Sequence, residues 1–175
     1  NVDVGDRIVG AFGARFATLE STGAREYIGD DGRMSAMTSA GLFGAVTSRS
    51  PFGLDHVQLG YIGHMISGSA KRTMSEWAVP PADKPFATPC LLIVGSSMSA
   101  GKTQSARIII RRLKQMGLRV VGVKLTGAGR YRDILSMGDA GADVILDFVD
   151  GGLPSTVCPE GQFREAAGRV LAEVD

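Results

Sequence analysis

Lys102, Thr103, Lys124 and Asp150 are the residues whose types and spacing suit chemistry on a phosphate. A nucleotide's phosphates need several converging backbone N–H groups, a cation near the terminal phosphoryl groups, and a hydroxyl for the accompanying Mg²⁺. The run CLLIVGSSMSAGKT, Cys90 to Thr103, offers all three. Small residues at Ser96, Ser97, Ser99, Ala100 and Gly101 let the backbone close around an anion, Lys102 is the cation and Thr103 the hydroxyl. The candidate nucleotide-binding set is therefore Gly95, Ser96, Met98, Ser99, Ala100, Gly101, Lys102, Thr103 and Gln104. Five residues separate Gly95 from Gly101, one more than in the common GxxxxGK[ST] loop, and Ser96 stands where that pattern has its first glycine.

Lys124 ends a second apolar run and is followed by the flexible loop Thr126-Gly127-Ala128-Gly129. Ligands of open α/β sheets bind beyond the carboxyl ends of the strands, so Lys124 should share an edge with the Lys102 loop. The bland alternative is a lysine that snorkels to solvent. Arg130 and Arg132 either meet an anionic substrate or are simply exposed. Asp147 and Asp150 close a third apolar run, and Asp150, at the expected strand terminus, is the candidate Mg²⁺ contact beside Thr103. A strand-end cap and a turn acid are the alternative roles for this pair.

These residues need a scaffold, and the pattern predicts one. Leu91 to Val94 reads as a strand running into the loop. Ala106, Ile109, Ile110, Leu113 and Met116 then fall at helical spacing, with Gly117 as the stop. Arg119 to Leu125 is a β-branched run without alternation, as expected of a strand buried on both faces. Tyr131 to Met137 predicts a short helix and Asp143 to Asp150 a third strand. Phe163, Ala166, Ala167, Val170, Leu171 and Val174 form the stripe of a final helix. The fold class expected is α/β: a P-loop parallel sheet with flanking helices, preceded by a small β-rich barrel- or sandwich-like domain.

That first part, residues 1–79, is glycine-rich with short alternating runs. Arg7 to Val9, Ala14 to Glu20, Gly41 to Thr47 and His56 to Ile66 read as strands, Asp31-Gly32 as a hairpin turn and Ser67-Gly68-Ser69 as another turn, leading into Arg72 to Val79. His56 and His64 lack a third ligand, which disfavours a metal, and Trp77 reads as a packing residue. Pro80, Pro81, Pro85 and Pro89 mark residues 80–89 as a semi-rigid linker, leaving 90–175 as the nucleotide-binding domain.

At 175 residues, 44% hydrophobic and 21% charged, the chain can bury a core. A net charge of +1 gives no general attraction to nucleic acid or to an anionic membrane, and the basic helix face at Arg107, Arg111, Arg112 and Lys114 lacks interleaved aromatics. No apolar run spans a membrane. Cys90 and Cys158 have no paired spacing, so a reducing, cytoplasmic setting is expected. The chain begins at Asn1 without methionine and reads as a fragment.

GSSMSAGKT, followed one helix later by RVVGVKLTG, resembles the P-loop group that includes dethiobiotin synthetase and cobyric acid synthase. There GxxxxxGKT precedes a strand ending in a lysine that contacts substrate and phosphate. The resemblance implies ATP and Mg²⁺ as cofactors, the phosphate and Mg²⁺ roles for Lys102 and Thr103, and a second catalytic lysine at Lys124. AGADVILDFVDGGLPST is more closely similar to a P-loop family whose relatives include D-glutamate N-acetyltransferase-like proteins. Both resemblances lie in the second half of the chain. The β-rich segment matches neither, and the absence of a lysine at Ser97 or Met98 argues against the partitioning-ATPase type.

The expected function is an ATP-dependent ligase or transferase that activates a small carboxylate-type substrate. A nucleotide-dependent switch that binds a protein partner and a loop that holds coenzyme A are the alternatives. In the resembling families a later strand carries the main Mg²⁺-associated acid, whereas this chain stops at the end of a helix. The sheet is therefore expected to be completed by further C-terminal sequence or by a partner chain, in a homo-oligomer for example.

Overall fold

A computed structural model describes residues 2–17, 19–53, 55–81, 85–97 and 99–174. It is mixed α/β, with a β-rich N-terminal part and a C-terminal parallel strand pair packed with helices.

The N-terminal part contains β1 (Ala11–Phe12), β2 (Ala14–Ala17), β3 (Ser21–Ala24), β4 (Arg33–Ala36), β5 (Leu42–Arg49) and β6 (Gln58–Gly60). Their order is β2-β3-β5-β4-β6, with β1 beside β5 in parallel. β5, with eight residues, is the longest, and its Leu42, Phe43 and Val46 suit a half-buried pleated surface. One of its edges takes β1 and then β3, the other takes β4. Met37 and Leu42, 1% and 2% exposed, anchor the core beneath it together with Met34 and Phe43.

Several expected elements differ here. The sheet is open: β2 and β6 are its two ends and do not pair. Arg7 to Val9 carries no strand. Asp31-Gly32 does turn, with Arg33 N–H donating to Asp31 Oδ1 at 3.1 Å. It leads from a 3-10 turn at Arg25–Tyr27 into β4, so it joins no hairpin. The short β7 (Ile66–Ser67) and β8 (Ala70–Lys71) flank the predicted turn at Gly68. Arg72 to Val79 contains a 3-10 turn at Met74–Trp77. A capping box favours that turn: Glu76 accepts the Thr73 N–H at 2.7 Å.

The C-terminal part contains α1 (Lys102–Gln115), β9 (Val121–Lys124), α2 (Tyr131–Asp139), β10 (Val144–Asp147) and α3 (Glu160–Val174). β9 and β10 pair in parallel, from Val121↔Val144 to Lys124↔Asp147, and α2 is their crossover. Ala106 and Ile110 of α1, Val120, and Ile134 and Met137 of α2 form the core cluster, with Ile93 packed against it. Met116, placed on the apolar stripe by spacing, lies beyond the last helical residue and is exposed.

The expected strand at Leu91 to Val94 is absent, so among the described residues the C-terminal part has two strands where three were predicted. A parallel strand needs cover on both faces and a hydrogen-bonded neighbour. Here Ile93 alone finds cover, while Leu91, Leu92 and Val94 are 68%, 75% and 78% exposed. The two halves nevertheless meet: Val79 N–H donates to Asp150 O at 2.8 Å, and Arg169 Nη1 donates to Val79 O at 3.3 Å.

Candidate functional site

The loop before α1 is curled around the Lys102 side chain. Gly101 takes a left-handed φ of 83° and Ser99 one of 64°, which turns the chain sharply into the helix. Gly95 lets the lysine stem lie across the loop, since a Cβ there would sit 3.0 Å from Lys102 Cγ and 3.1 Å from Cδ. Lys102 Nζ donates to Ser97 O at 2.6 Å, closing the ring of small residues. Gly101 brings no side chain to cap α1, and the helix has no acid in its first turn. Its first N–H groups and positive dipole end therefore meet no protein carboxylate on their own helix. Thr103 is half-buried in that first turn, while Ser96, Ser99, Ala100 and Gln104 are exposed. Met98 lies outside the described residues.

Lys124 stands at the C-terminal end of β9, as the run RVVGVKL predicts. Its side chain is only 16% exposed, and Nζ donates to Asp133 Oδ2 at 2.6 Å. The ammonium lies 6.0 Å from the Phe148 ring centroid, at the outer limit of a cation–π contact. Gly127 makes room for it: φ is 143°, and an added Cβ would meet Lys124 Cε at 3.1 Å. The Gly127 loop is in turn pinned to the chain after β10. Gly127 N–H donates to Thr156 Oγ1 at 2.9 Å, and Thr156 N–H donates to Gly127 O at 2.9 Å.

β10 ends at Asp147, so Asp147 is the acid at the strand terminus, directly opposite Lys124 in the ladder. Asp150 lies in the following turn, where its Oδ2 accepts the Asp147 N–H at 2.7 Å, while Asp147 Oδ1 accepts the Val149 N–H at 2.7 Å. Each carboxylate thus caps local backbone, the alternative role weighed for this pair. Asp147 is 5% exposed. Burial pushes its pKa up and the nearby Asp150 charge adds to this, while the Val149 hydrogen bond and Lys124 partly oppose.

Arg130, immediately before α2, reaches back to the β-rich half and donates to Glu20 Oε1 at 3.1 Å. Glu20 also pairs with Arg15, a buried guanidinium that donates to Ser21 Oγ at 2.9 Å and to Met37 O at 2.7 Å. Partial burial raises the Glu20 pKa, but the Arg15 hydrogen bond and the charges of Arg15 and Arg130 outweigh it and hold the carboxyl below its ordinary range.

Asp133, Phe148, Thr156 and Glu20 were not identified from sequence. Asp133 left one signal, an acid in the first turn of a predicted helix soon after Lys124; the other three are brought in by long-range packing. Lys102 and Lys124 have separate partners and share no hydrogen-bonding group among the described residues. Arg132 is exposed. Trp77 is 60% exposed, contrary to a packing role. Among the described residues no group of three or more His, Cys, Asp or Glu is arranged to hold a metal, and no helix is long and apolar enough to cross a membrane. Cys90 and Cys158 are free thiols.

No family model, no curated protein and no solved structure matches the chain.

Proposed function

We propose that the chain binds Mg-ATP through Gly95 to Gln104 and uses it to activate a small carboxylate-type substrate for ligation or transfer. The observation that carries this reading is the Lys102 side chain laid across its own loop, with Nζ 2.6 Å from Ser97 O at the start of a helix that has no acid in its first turn. A phosphate oxygen can replace the carbonyl as the ammonium's acceptor and take up the uncapped N–H groups at the same time. Lys124 is the second cation in this reading, and catalysis would rest on positioning and charge neutralisation.

Mg²⁺ would accompany the nucleotide, and Asp150, whose Oδ2 accepts the Asp147 N–H, would offer its other oxygen. Mg²⁺ keeps several waters and takes only one or two protein carboxylates besides phosphate. Thr103 and Asp150 would be its contacts, so a larger cluster of acids is not required. When bound, the ion neutralises charge at the phosphates.

Calorimetry with Mg-ATP, Mg-GTP and ADP tests the reading. Lys102→Ala should weaken nucleotide binding by about 10- to 100-fold, the scale of one hydrogen bond to a charged group. Binding that is absent in the parent chain, or unchanged in the variant, refutes it.

A nucleotide-dependent switch is the second reading, favoured by the Glu20–Arg130 ion pair that joins the loop after β9 to the β-rich half. Nucleotide-dependent capture of a protein partner without turnover would select it. Competition between ATP and coenzyme A would identify a loop used for the latter.

A further inference from the structure

We propose that the cleft between the β-rich half and α3 is a second binding site, for a small planar aromatic carboxylate. The inference stands apart from the nucleotide reading, because neither Lys102 nor Lys124 lines this cleft.

The cleft has a volume of about 1710 Å³, and aromatic side chains of the β-rich half and polar side chains of α3 are among its lining. Phe12, Tyr61 and His64 form a cluster. The Phe12 ring lies 6.2 Å from Tyr61 and 5.9 Å from His64, and Tyr61 and His64 meet edge to face at 5.4 Å. The Tyr61 hydroxyl is hydrogen-bonded to His64 Nδ1, which holds both rings in place. Tyr61 nevertheless remains 45% exposed and Trp77 60% exposed. Aromatic surface of that size usually finds a partner, and stacking on a flat ring satisfies it.

Two cations, Lys71 and Arg72, line the same cleft. Arg72 N–H donates to Met65 O at 2.9 Å, which sets the β7–β8 hairpin next to His64. The Arg72 guanidinium then lies 5.0 Å over the Trp77 ring. Arg72 is paired with Glu76, but the neighbouring Lys71 is exposed and has no ion pair among the described residues. A concave site between two structural units, with flat rings and an unneutralised ammonium, matches a ring that carries a carboxylate. The floor is rigid. At Gly152 an added Cβ would lie 3.0 Å from Ser75 Cα, so the two halves touch there through a position that tolerates no side chain.

Trp77 is the only tryptophan of the chain and lies in the cleft, so its emission reports occupancy directly. Titration of the full chain with benzoate should change that emission saturably. Benzamide, which keeps the ring, and acetate, which keeps the charge, should each bind at least about tenfold more weakly, as should adenosine. Lys71→Gln, at an exposed position, should weaken benzoate by about tenfold without altering the unfolding midpoint, and Tyr61→Ala by a similar factor. Lys102→Ala should leave the benzoate response intact, which separates this site from the phosphate loop. Absence of a saturable response, an acetate or adenosine response as tight as that of benzoate, or full benzoate affinity in Lys71→Gln would overturn the proposal.

Discussion

The two halves of the molecule hold together in different ways. In the β-rich half one eight-residue strand, β5, touches three others, and a single buried guanidinium, Arg15, ties Ser21, Met37 and Glu20 around it. In the α/β half the sheet is two strands wide among the described residues, and cohesion comes from apolar side chains of α1 and α2 packed against it, with Ile93 beside them. The first half depends on backbone ladders and one polar hub. The second depends on side-chain burial and leaves Leu91, Leu92 and Val94 in water. Both loops proposed to meet phosphate belong to the second half, where fewer ladder hydrogen bonds restrain the backbone.

Matched core truncations provide the largest test of this contrast. Phe148, 2% exposed and underlying Lys124, should cost about 3–5 kcal/mol as Phe148→Ala, and Met37, 1% exposed beneath β5, about 2–5 kcal/mol as Met37→Ala. Urea unfolding followed by Trp77 emission and by far-ultraviolet circular dichroism should show the two probes separating in each variant, in opposite directions. Coincident transitions in both variants would mean that the halves unfold as one unit.

A smaller effect is expected at the polar hub. Arg15→Met strands the Met37 carbonyl and one side of Glu20, and should cost about 2 kcal/mol in the β-rich half, the scale of an unmet buried polar group. Arg130 keeps its own contact with Glu20, which limits the loss. A change below about 0.5 kcal/mol, in the range of an ordinary surface substitution, would show that the sheet ladder alone sustains this half.

The smallest effect carries a sign. Because burial raises the Asp147 pKa in the folded state, folding disfavours its ionised form. That cost is absent below the ordinary carboxylate pKa and complete above the raised folded value. Asp147→Asn preserves the acceptor for the Val149 N–H, so its melting temperature should exceed that of the parent at neutral pH. The gap should close as the pH falls through the carboxylate range. A gap that persists in acid, or a lower melting temperature at neutral pH, would place the origin of the effect elsewhere.

Much of the local structure was legible in the sequence. The stripe from Ala106 to Leu113 and the one from Phe163 to Val174 are helices, Val121 to Lys124 is a parallel strand, and Leu42 to Arg49 is the long strand of its half. These elements are encoded locally, by periodicity and by β-branched content. The Leu91 to Val94 strand was misread for a physical reason: its composition suits a strand, but a strand exists only where a neighbour supplies hydrogen bonds. Asp150 was expected at a strand terminus because apolar residues continue through Phe148 and Val149, whereas the ladder stops at Asp147. The carboxylate that shares a ladder position with Lys124 could not be read without the register.

The sequence by itself determined that a run of small residues leads into a helix opening at Lys102, because composition and helical spacing are local properties. It also determined the lysine at the end of β9. Only the tertiary structure decided that Lys124 is held by Asp133 against Phe148, that Glu20 links Arg130 to Arg15, and that Tyr61, His64 and Trp77 line one cleft. Those partners lie on separate elements, in several cases far apart in sequence, and packing has no periodic signature along the chain.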